Sequence, residues 1–367
     1  MAYVAVKGGQ DAIESSVELL KLSRSDGSAV LEIDAIINRA KQLIDRIMCE
    51  AGFYAPEYAA IAFKQSEGSL EEAVFLMRAY RSTLSQTHTS LTIDCKNMRL
   101  SRRISSAFKD IPLGQILGAS YDYTHRLLNF RLRDEDEGEL RSFREQYFSS
   151  IGGEEVDMRA ERVSDLLKKE NLMVAYEPDD TEPMDITKNK LMFPASRSAR
   201  LQTLFRADTG FVSGVSYAGL RGYGFMAHPT IGELRSGHVE VEIKYILDEN
   251  ESMVLGEIFF TEVESFVSSH KSSEQELDEL EIDVGYGLAF GRAETKAIAM
   301  SILDCALNYP TPNSPPNDEE FVLLHGEALE MSGFISHLKL PHYVTYQSKL
   351  DNIRKTRKAN ETAEKKG

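Results

Sequence analysis

The stretch His238-Val239-Glu240-Val241-Glu242-Ile243-Lys244-Tyr245 alternates polar and apolar residues. This two-residue period predicts a β-strand that buries one face and exposes the other to solvent. Residues 211–217 and 254–266 are also rich in β-branched and aromatic residues, so strands are predicted there as well. Strands with one polar face favour an antiparallel sheet over a parallel sheet that is buried on both faces.

Helical patterns lie on both sides of these strands. Apolar residues recur at three- and four-residue steps over 33–47, and Gly52 follows where a left-handed C-terminal cap is wanted. Ser69-Leu70-Glu71-Glu72 is a capping box that predicts a second helix. Further helices are predicted over 156–171, 294–308 and 318–330. The expected fold class is α+β, with a helical N-terminal part followed by a mixed, mainly antiparallel sheet domain with C-terminal helices.

Charge runs and turn-rich stretches divide the chain into segments. The run 134–139 contains five acidic residues and one glycine, a composition typical of a solvated linker. The predicted division is a mainly helical N-terminal domain over 1–133, an acidic linker or variable region over 134–190, a mixed α/β domain over 191–348 and a basic C-terminal tail over 349–367.

Composition excludes several classes of function. The 367 residues include 42 Lys and Arg against 58 Asp and Glu, a formal net charge of −16. Nucleic acid and anionic membranes would repel such a chain, so neither is expected as a partner. The three cysteines form no CxxC pair and are expected to be reduced thiols. No stretch has the pattern of a signal peptide or a membrane span, so a cytoplasmic protein is expected.

Positive charge is concentrated in two parts of this acidic chain. Residues 96–133 contain eight Lys or Arg against two Asp, and 196–235 contain five Arg against one Asp and one Glu. The basic stretch 99–109 is predicted to be a helix that binds phosphates or an acidic partner, or simply presents a solvated face. Arg197 and Arg200, one turn apart after Ser196, predict either an anion-binding helix start or an ordinary capped helix.

Two groups of residues could carry proton transfer or phosphate binding. In 121–126, Asp122 and His125 are candidate catalytic residues, because a carboxylate and an imidazole can exchange protons near neutral pH. In 221–237, four glycines stand among Arg221, His228 and Arg235, which are candidate ligands of a nucleoside triphosphate. The run contains no Walker A motif, and a hairpin loop with structural glycines explains it equally well.

His337 and His342 are candidate metal ligands. Five residues along a helix turn the second ring by about 140° from the first, and Pro341 would break a helix there. The two rings can therefore converge only in a bent loop. Zinc needs three or four ligands and no third ligand is evident nearby, so the alternative is two unrelated loop histidines.

Several blocks together closely resemble the PhnI family, the I subunit of the bacterial carbon-phosphorus lyase core complex. The likeness extends from Tyr3 to about Gln347. The blocks that carry it are Arg103-Ile104-Ser105 to Gly114-Gln115, residues 121–128, Ser196-Arg197-Ser198 with Arg200-Leu201-Gln202, Arg221-Gly222-Tyr223-Gly224, Gly285-Tyr286-Gly287-Leu288 and residues 336–343.

The resemblance implies a function. With PhnG, PhnH and PhnL subunits, the family displaces adenine from MgATP with a phosphonate such as methylphosphonate, which gives α-D-ribose 1-methylphosphonate 5-triphosphate. A member alone can act as a purine nucleosidase. The residues matching His337 and His342 bind zinc at the contact with the PhnJ subunit, and two I subunits associate at the centre of the complex.

Displacement at C1′ places negative charge on the departing purine, so the site should offer a proton to the base and cations to the triphosphate. Arg221, His228 and Arg235 are assigned to the triphosphate, and Asp122 and His125 to the proton, on residue chemistry alone. Two other functions stay open: an assembly scaffold that supplies a zinc half-site without catalysis, and a stand-alone nucleoside hydrolase.

Overall fold

The computed structural model describes residues 9–25, 29–151, 158–177, 181–223, 229–245, 251–270, 280–339 and 343–364. The chain forms two compact units, one of Met1–Glu32 with Ala328–Gly367 and the other of Ile33–Glu327. The predicted α+β class is confirmed: helices dominate the N-terminal part, and one four-stranded antiparallel sheet follows. The four predicted segments stay a prediction.

Helices precede, separate and follow the strands along the chain. The helices are α1 (Gly9–Arg24), α2 (Ile33–Arg39), α3 (Lys41–Ala51), α4 (Pro56–Gln65), α5 (Leu70–Thr83), α6 (Glu137–Ile151), α7 (Val163–Lys169), α8 (Arg197–Arg206), α9 (Thr209–Ala218), α10 (Glu294–Leu307), α11 (Glu319–His325), α12 (Ala328–Ser336) and α13 (Tyr343–Glu364). The strands are β1 (Arg99–Ile104), β2 (Thr230–Lys244), β3 (Ser252–His270) and β4 (Leu280–Phe290).

The sheet has the strand order β1-β2-β3-β4, and every neighbouring pair is antiparallel. Strand β2 contains the alternating stretch 238–244, and β3 contains the predicted strand 254–266, so both predictions are confirmed. Arg235 of β2 lies opposite Arg103 of β1 and Glu262 of β3. This register places charged residues of three strands side by side on one face.

Helix α10 covers the other face of the sheet at very short range. An added Cβ at Gly285 would lie 2.1 Å from the Ser301 carbonyl oxygen, and one at Gly287 would lie 1.9 Å from that of Ala297. Both positions therefore require glycine, because any side chain would displace the helix. Leu234, Val263, Ala289 and Ala297 form the apolar contact between the sheet and α10.

Local signals read from the sequence determine several helix ends. Gly52 adopts a left-handed conformation with φ 63° after α3, as predicted. The Ser69 side chain accepts the Glu72 backbone N–H at 3.4 Å at the start of α5, which confirms the predicted cap. Helix α10 matches the helix predicted over 294–308. These signals succeed because they act within one turn of the chain.

Two predictions of local structure are wrong. Residues 211–217 belong to helix α9 rather than a strand, because Asp208 caps the helix by accepting the Phe211 N–H at 2.6 Å and Val212 is buried in a helical core. The stretch 99–109 is not a helix; its first six residues form β1, where pairing with β2 overrides helix propensity.

Two predicted helices have different bounds in the structure. The helix expected over 318–330 is divided into α11 and α12, which are separated by Gly326 and Glu327. Of the helix predicted over 156–171, the described residues form only α7. These differences leave the fold class unchanged, since the elements around the sheet remain helical.

Candidate functional site

Asp122 lies at the edge of the sheet in an ion pair with a strand residue. Its Oδ2 is 2.5 Å from Arg102 Nη2, and its Oδ1 is 4.0 Å from Arg126 Nη2. The Arg102 side chain is buried in β1, whereas the Asp122 side chain is half exposed. The carboxylate therefore sits where solvent or a ligand can reach it, beside a cation that the sheet holds in place.

A second carboxylate contacts the same arginine. Glu294, the first residue of α10, has its Oε1 2.7 Å from Arg102 Nε. Arg102 also donates from Nη1 to the Leu117 carbonyl oxygen. Arg102 thus links Asp122 to Glu294, and this cluster of three residues is called the Arg102 cluster below.

The two carboxylates of the Arg102 cluster differ in acidity. Hydrogen bonding with Ser120 and with Arg102 lowers the pKa of Asp122. Burial raises the pKa of Glu294, and the nearby Arg102 only partly opposes it. Carboxylates whose environments push their pKa values apart can serve as proton acceptor and proton donor. Of the two, Glu294 keeps its proton to the higher pH.

His125, the other predicted catalytic residue, is exposed. It lies in a long stretch, 112–151, in which no residue is buried. Among the described residues, no hydrogen bond or ion pair joins His125 to Asp122. Its predicted role in proton transfer stays a prediction, and a ligand or another chain would be needed to bring the two side chains together.

The three predicted triphosphate ligands lie in different surroundings. Arg221 is exposed in a π-helical turn after α9, next to Gly222, whose φ of 99° suits glycine. His228 lies outside the described residues. Arg235 is only 1% exposed and points into the interior of the sheet region. The glycine-rich run is therefore not a single loop, since its second half belongs to β2.

Arg235 belongs to a buried network of charged side chains. Its Nη2 donates to the Cys95 carbonyl oxygen at 2.9 Å, and its Nε is 3.5 Å from Glu262 Oε1. Arg162, just before α7, contacts Glu262 Oε2 at 2.9 Å and Glu264 at 3.9 Å. Arg235 is thus paired inside the protein and is not exposed to a ligand in this conformation.

The same network contains a closed ion pair. Arg103 Nε is 2.5 Å from Glu233 Oε1, and both side chains are at most 1% exposed. Glu233 Oε2 also accepts the Val163 backbone N–H at 3.0 Å, which ties α7 to the sheet. Burial and the nearby Glu262 raise the pKa of Cys95 to about 11, so this thiol stays protonated at neutral pH. We call the residues Arg103, Arg162, Arg235, Glu233, Glu262 and Glu264 the buried charge network.

Ser196 and Arg197 lie at the start of α8. The Ser196 hydroxyl accepts the Ala199 N–H at 3.3 Å and caps α8. Arg197 Nη2 is 2.6 Å from Oδ2 of Asp304, which is fully buried. The charge of Arg197 is thus matched by a carboxylate of α10, which favours the ordinary capped helix over an anion site at this helix start.

His337 follows α12 in a short 3-10 turn, and His342 lies outside the described residues. The Nδ1 of His337 is hydrogen-bonded to the Phe334 carbonyl oxygen. A carbonyl oxygen can only accept, so Nδ1 carries the hydrogen, as it does in histidines that bind zinc through Nε2. His337 therefore fits a zinc ligand. No group of three or more His, Cys, Asp or Glu suited to a metal occurs within the described ranges.

Sequence reasoning missed Arg102 and Glu294 as site residues. Glu294 precedes an apolar helical run, where an acidic residue is expected simply from the helix dipole. Arg102 stood among other basic residues that were assigned to a helix. No spacing rule connects either residue to Asp122, and only the sheet edge brings the three together.

None of the helices in the described ranges has both the length and the apolar composition of a membrane span.

Comparison with known proteins gives consistent matches over nearly the whole chain. Residues 2–360 match the sequence model of the family described as "Bacterial phosphonate metabolism protein (PhnI)". The α-D-ribose 1-methylphosphonate 5-triphosphate synthase subunit PhnI of Escherichia coli strain K12 is 41% identical over 361 residues, which covers 96% of this chain and 98% of that protein. The subunit of the same name from Rhizobium meliloti strain 1021 is 38% identical over 373 residues, 100% of this chain and 97% of that protein. HtxH of Stutzerimonas stutzeri, named as a subunit protein of C-P lyase, is 40% identical over 97% of this chain and 96% of that protein.

Proposed function

The chain belongs to the PhnI family of bacterial phosphonate metabolism proteins, and on that basis we propose that it is a subunit of a carbon-phosphorus lyase system. In this system it displaces adenine from MgATP with a phosphonate such as methylphosphonate. The product is α-D-ribose 1-methylphosphonate 5-triphosphate. The observation that carries the proposal is the identity of about 40%, from end to end, with relatives named as this synthase subunit.

The proposed step exchanges one bond at C1′ of the ribose for another. A phosphonate oxygen forms a bond to C1′, the bond from C1′ to the purine nitrogen breaks, and the electron pair leaves with the purine. A proton must then reach the purine, and cations must hold the triphosphate. Arg221 is proposed for the triphosphate because it is exposed. His228 and Arg235 are proposed with it on residue chemistry alone.

Proton transfer is proposed for Asp122 and His125, assisted by the Arg102 cluster. The pKa of Asp122 is lowered by its hydrogen bonds with Ser120 and Arg102, so Asp122 is ionised and can only relay to the purine a proton that it takes from solvent. Glu294 supports the donor role because burial raises its pKa. Arg102 holds both carboxylates beside one guanidinium group.

Zinc is proposed to bind His337 and His342, with further ligands from a PhnJ-type partner, substrate or solvent. When bound, zinc supplies a Lewis acid at the contact between the subunits. The chain's own part is to hold the imidazole of His337 through the Phe334 carbonyl oxygen. Phe334 and Leu338 beside it are 69% and 62% exposed, which supports a partner surface at this place.

Partner subunits of the PhnG, PhnH, PhnJ and PhnL types, and association of two copies of this chain, complete the proposal. The stretch 112–151 supports it, because Leu127, Leu128 and Phe130 are 83%, 82% and 73% exposed. Apolar side chains exposed to this extent are typical of surfaces that another protein covers. We also propose that the assembly works in the cytoplasm.

The test uses the chain co-purified with its G-, H- and L-type partners. With MgATP and methylphosphonate, adenine release is followed by chromatography, and the new phosphonate ester by phosphorus NMR. Arg221→Ala is expected to raise the KM for MgATP by about ten- to a hundredfold, because one charge-assisted contact contributes about 1.5–3 kcal/mol. Lys190→Ala, which removes another exposed cation, is the matched control. An unchanged KM in Arg221→Ala would remove this residue from the site.

A scaffold without catalysis is the second candidate function, favoured by the exposed apolar residues around His337. The chain alone, given MgATP or MgGTP, distinguishes the two. Purine release above that of a variant with both His337→Ala and His342→Ala supports catalysis and the proposed nucleosidase activity. No purine release by the chain, alone or with its partners, supports the scaffold.

A further inference from the structure

A cleft of about 550 Å³ lies at the C-terminal end of α10, within the larger compact unit. Its walls are formed by the segment after α7, by α8, by the ends of β3 and β4 and by the residues after α10. This volume is in the range of small-molecule sites, and polar groups of several elements converge on it. Among the described residues, none of the catalytic, triphosphate or zinc candidates named above lines it.

A buried carboxylate organises the floor of the cleft. Asp283 is 3% exposed and accepts the hydroxyl hydrogens of Tyr176 at 2.6 Å and of Tyr309 at 2.8 Å. A phenol has a single hydrogen, and both hydrogens are directed at Asp283. The Tyr176 oxygen is therefore left as an acceptor for an N–H group of a ligand, and the Tyr309 oxygen, which is also hydrogen-bonded to Ser269, keeps one further lone pair.

Arg197 provides a flat wall without net charge. Its guanidinium carbon lies 6.0 Å from the centroid of the Tyr176 ring. Its Nη2 donates to Asp304 at 2.6 Å and to the Val284 carbonyl oxygen at 2.8 Å. Asp304 compensates the charge, and these bonds fix the plane of the guanidinium. A planar ring could stack on the exposed face of Arg197 or on that of Tyr176.

The cleft also offers a donor. Arg200 Nη2 donates to Asn308 Oδ1 at 3.1 Å, and its Nη1 donates to the Leu307 carbonyl oxygen at 2.9 Å. Because Oδ1 of Asn308 accepts this bond, its NH2 group is a donor. The charges of Arg197 and Asp304 compensate each other. The other charged residues of the cleft are Arg200, Glu177 and Asp283, which give a net charge of −1. A polyphosphate would not be attracted to such a cleft.

We propose that this cleft binds a purine base. A purine has amino hydrogens for the phenol oxygens of Tyr176 and Tyr309, ring nitrogens for the Asn308 amide, and a flat face for Arg197. The binding itself goes beyond the proposed function and does not require ribosyl transfer. Under the proposed function, the purine is either the base of MgATP or the adenine that the reaction releases.

The cleft and the Arg102 cluster lie at opposite ends of α10. Fourteen helical residues span about 21 Å, so one purine cannot contact both. If the cleft holds the base of MgATP, the proton for that base comes from the cleft rather than from Asp122 or Glu294. If it holds released adenine, it is a separate product site.

Calorimetry on the complete chain tests the binding directly, with adenosine as the probe. Tyr176→Phe and Tyr309→Phe are expected to weaken adenosine binding about tenfold, since each removes one acceptor of the ligand's amino group. Tyr217→Phe is the matched control, because Tyr217 is 62% exposed on α9. Thermal melting establishes that all three variants are folded. Purine riboside, which lacks the amino group, should bind the wild type and both cleft variants with similar affinity.

The same variants in the assembled complex separate the two sources of the purine. A higher KM for MgATP identifies the base of the substrate, and relief of inhibition by adenine at unchanged KM identifies the released base. The proposal is overturned if adenosine does not bind the wild-type chain, or if both cleft variants bind it as the wild type does. Failure of the proposed function gives a different result: the wild-type complex releases no adenine, whether or not the chain binds adenosine.

Discussion

On one face of the sheet, helix α10 lies against glycine, alanine and serine, whereas the other face buries three arginines and three glutamates. The α10 face has Gly285 and Gly287 directly beneath the helix backbone. The other face has the buried charge network between two apolar clusters, one around Leu100 and Val239 and one around Val163 and Leu167. Both faces exclude water, but they do so with opposite chemistry.

The two faces differ in the groups that folding removes from water. On the α10 face, close packing gains dispersion contacts and leaves few polar groups to pair. On the charged face, each guanidinium loses its hydration, and only a nearby carboxylate compensates that loss. Added side-chain volume on the α10 face should therefore lower the free energy of unfolding. On the charged face, the change of a single charge should alter it.

The largest effect is expected from Glu233→Gln on the charged face. Arg103 would keep its charge at 0% exposure with no carboxylate beside it. Breaking a buried pair in this way destabilises a protein by about 3–5 kcal/mol. Urea unfolding, followed by circular dichroism, measures the change.

The matched control replaces both partners, as Arg103→Met with Glu233→Leu. Buried ion pairs replaced by apolar residues of similar volume are often neutral in stability. The double variant should then be more stable than Glu233→Gln alone. If the double variant unfolds as easily as the single one, packing rather than charge determines the stability of this face.

An intermediate effect is expected from Gly287→Ala on the α10 face. The new Cβ would lie 1.9 Å from the Ala297 carbonyl oxygen, so α10 must shift. Overpacking of this kind costs about 1–3 kcal/mol. The same urea titration gives the value.

Gly214→Ala is the control for this substitution. Gly214 lies in helix α9, and an added Cβ there meets no atom within 4 Å. Alanine should stabilise that helix by about 0.5–1 kcal/mol, because glycine loses more backbone entropy. If Gly214→Ala and Gly287→Ala lowered the free energy of unfolding equally, the close contact with α10 would not explain the requirement for glycine at position 287.

The sequence predicted those parts of the fold whose signals are local. The alternation over 238–245 predicted β2, and the apolar period over 294–308 predicted α10. Strand β4 was missed because Gly285 and Gly287 leave gaps in its alternation, and their role is evident only once α10 lies above them. The sequence predicts a strand instead of helix α9, because β-branched residues are frequent there and the cap of Asp208 is a weaker signal.

The candidate site was predicted only in part for a related reason. Asp122 was found because it stands in a polar cluster of sequence, but its partners Arg102 and Glu294 come from β1 and α10. Arg235 was assigned to a ligand because arginine among glycines suggests phosphate binding. Whether an arginine faces a ligand or a buried glutamate depends on the strand register, which cannot be derived from the sequence pattern.

The smallest effect is expected from Glu264→Gln, which tests whether every charge of the network contributes equally. Burial raises the pKa of Glu264, and Arg162, at 3.9 Å, compensates only in part. A carboxyl group whose pKa is raised in the folded state binds more protons there than in the unfolded state. Stability therefore falls as the pH rises from the unfolded pKa through the folded pKa.

The neutral amide of Glu264→Gln carries no such cost. At pH 7 the free energy of unfolding of the variant should equal that of the wild type or exceed it by up to roughly 1 kcal/mol. The difference should vanish below about pH 4, where the carboxyl is protonated in both states. Unfolding free energies at pH 4 and pH 7 measure it. A loss at pH 7 comparable to that of Glu233→Gln would show instead that Arg162 depends on Glu264 as strongly as Arg103 depends on Glu233.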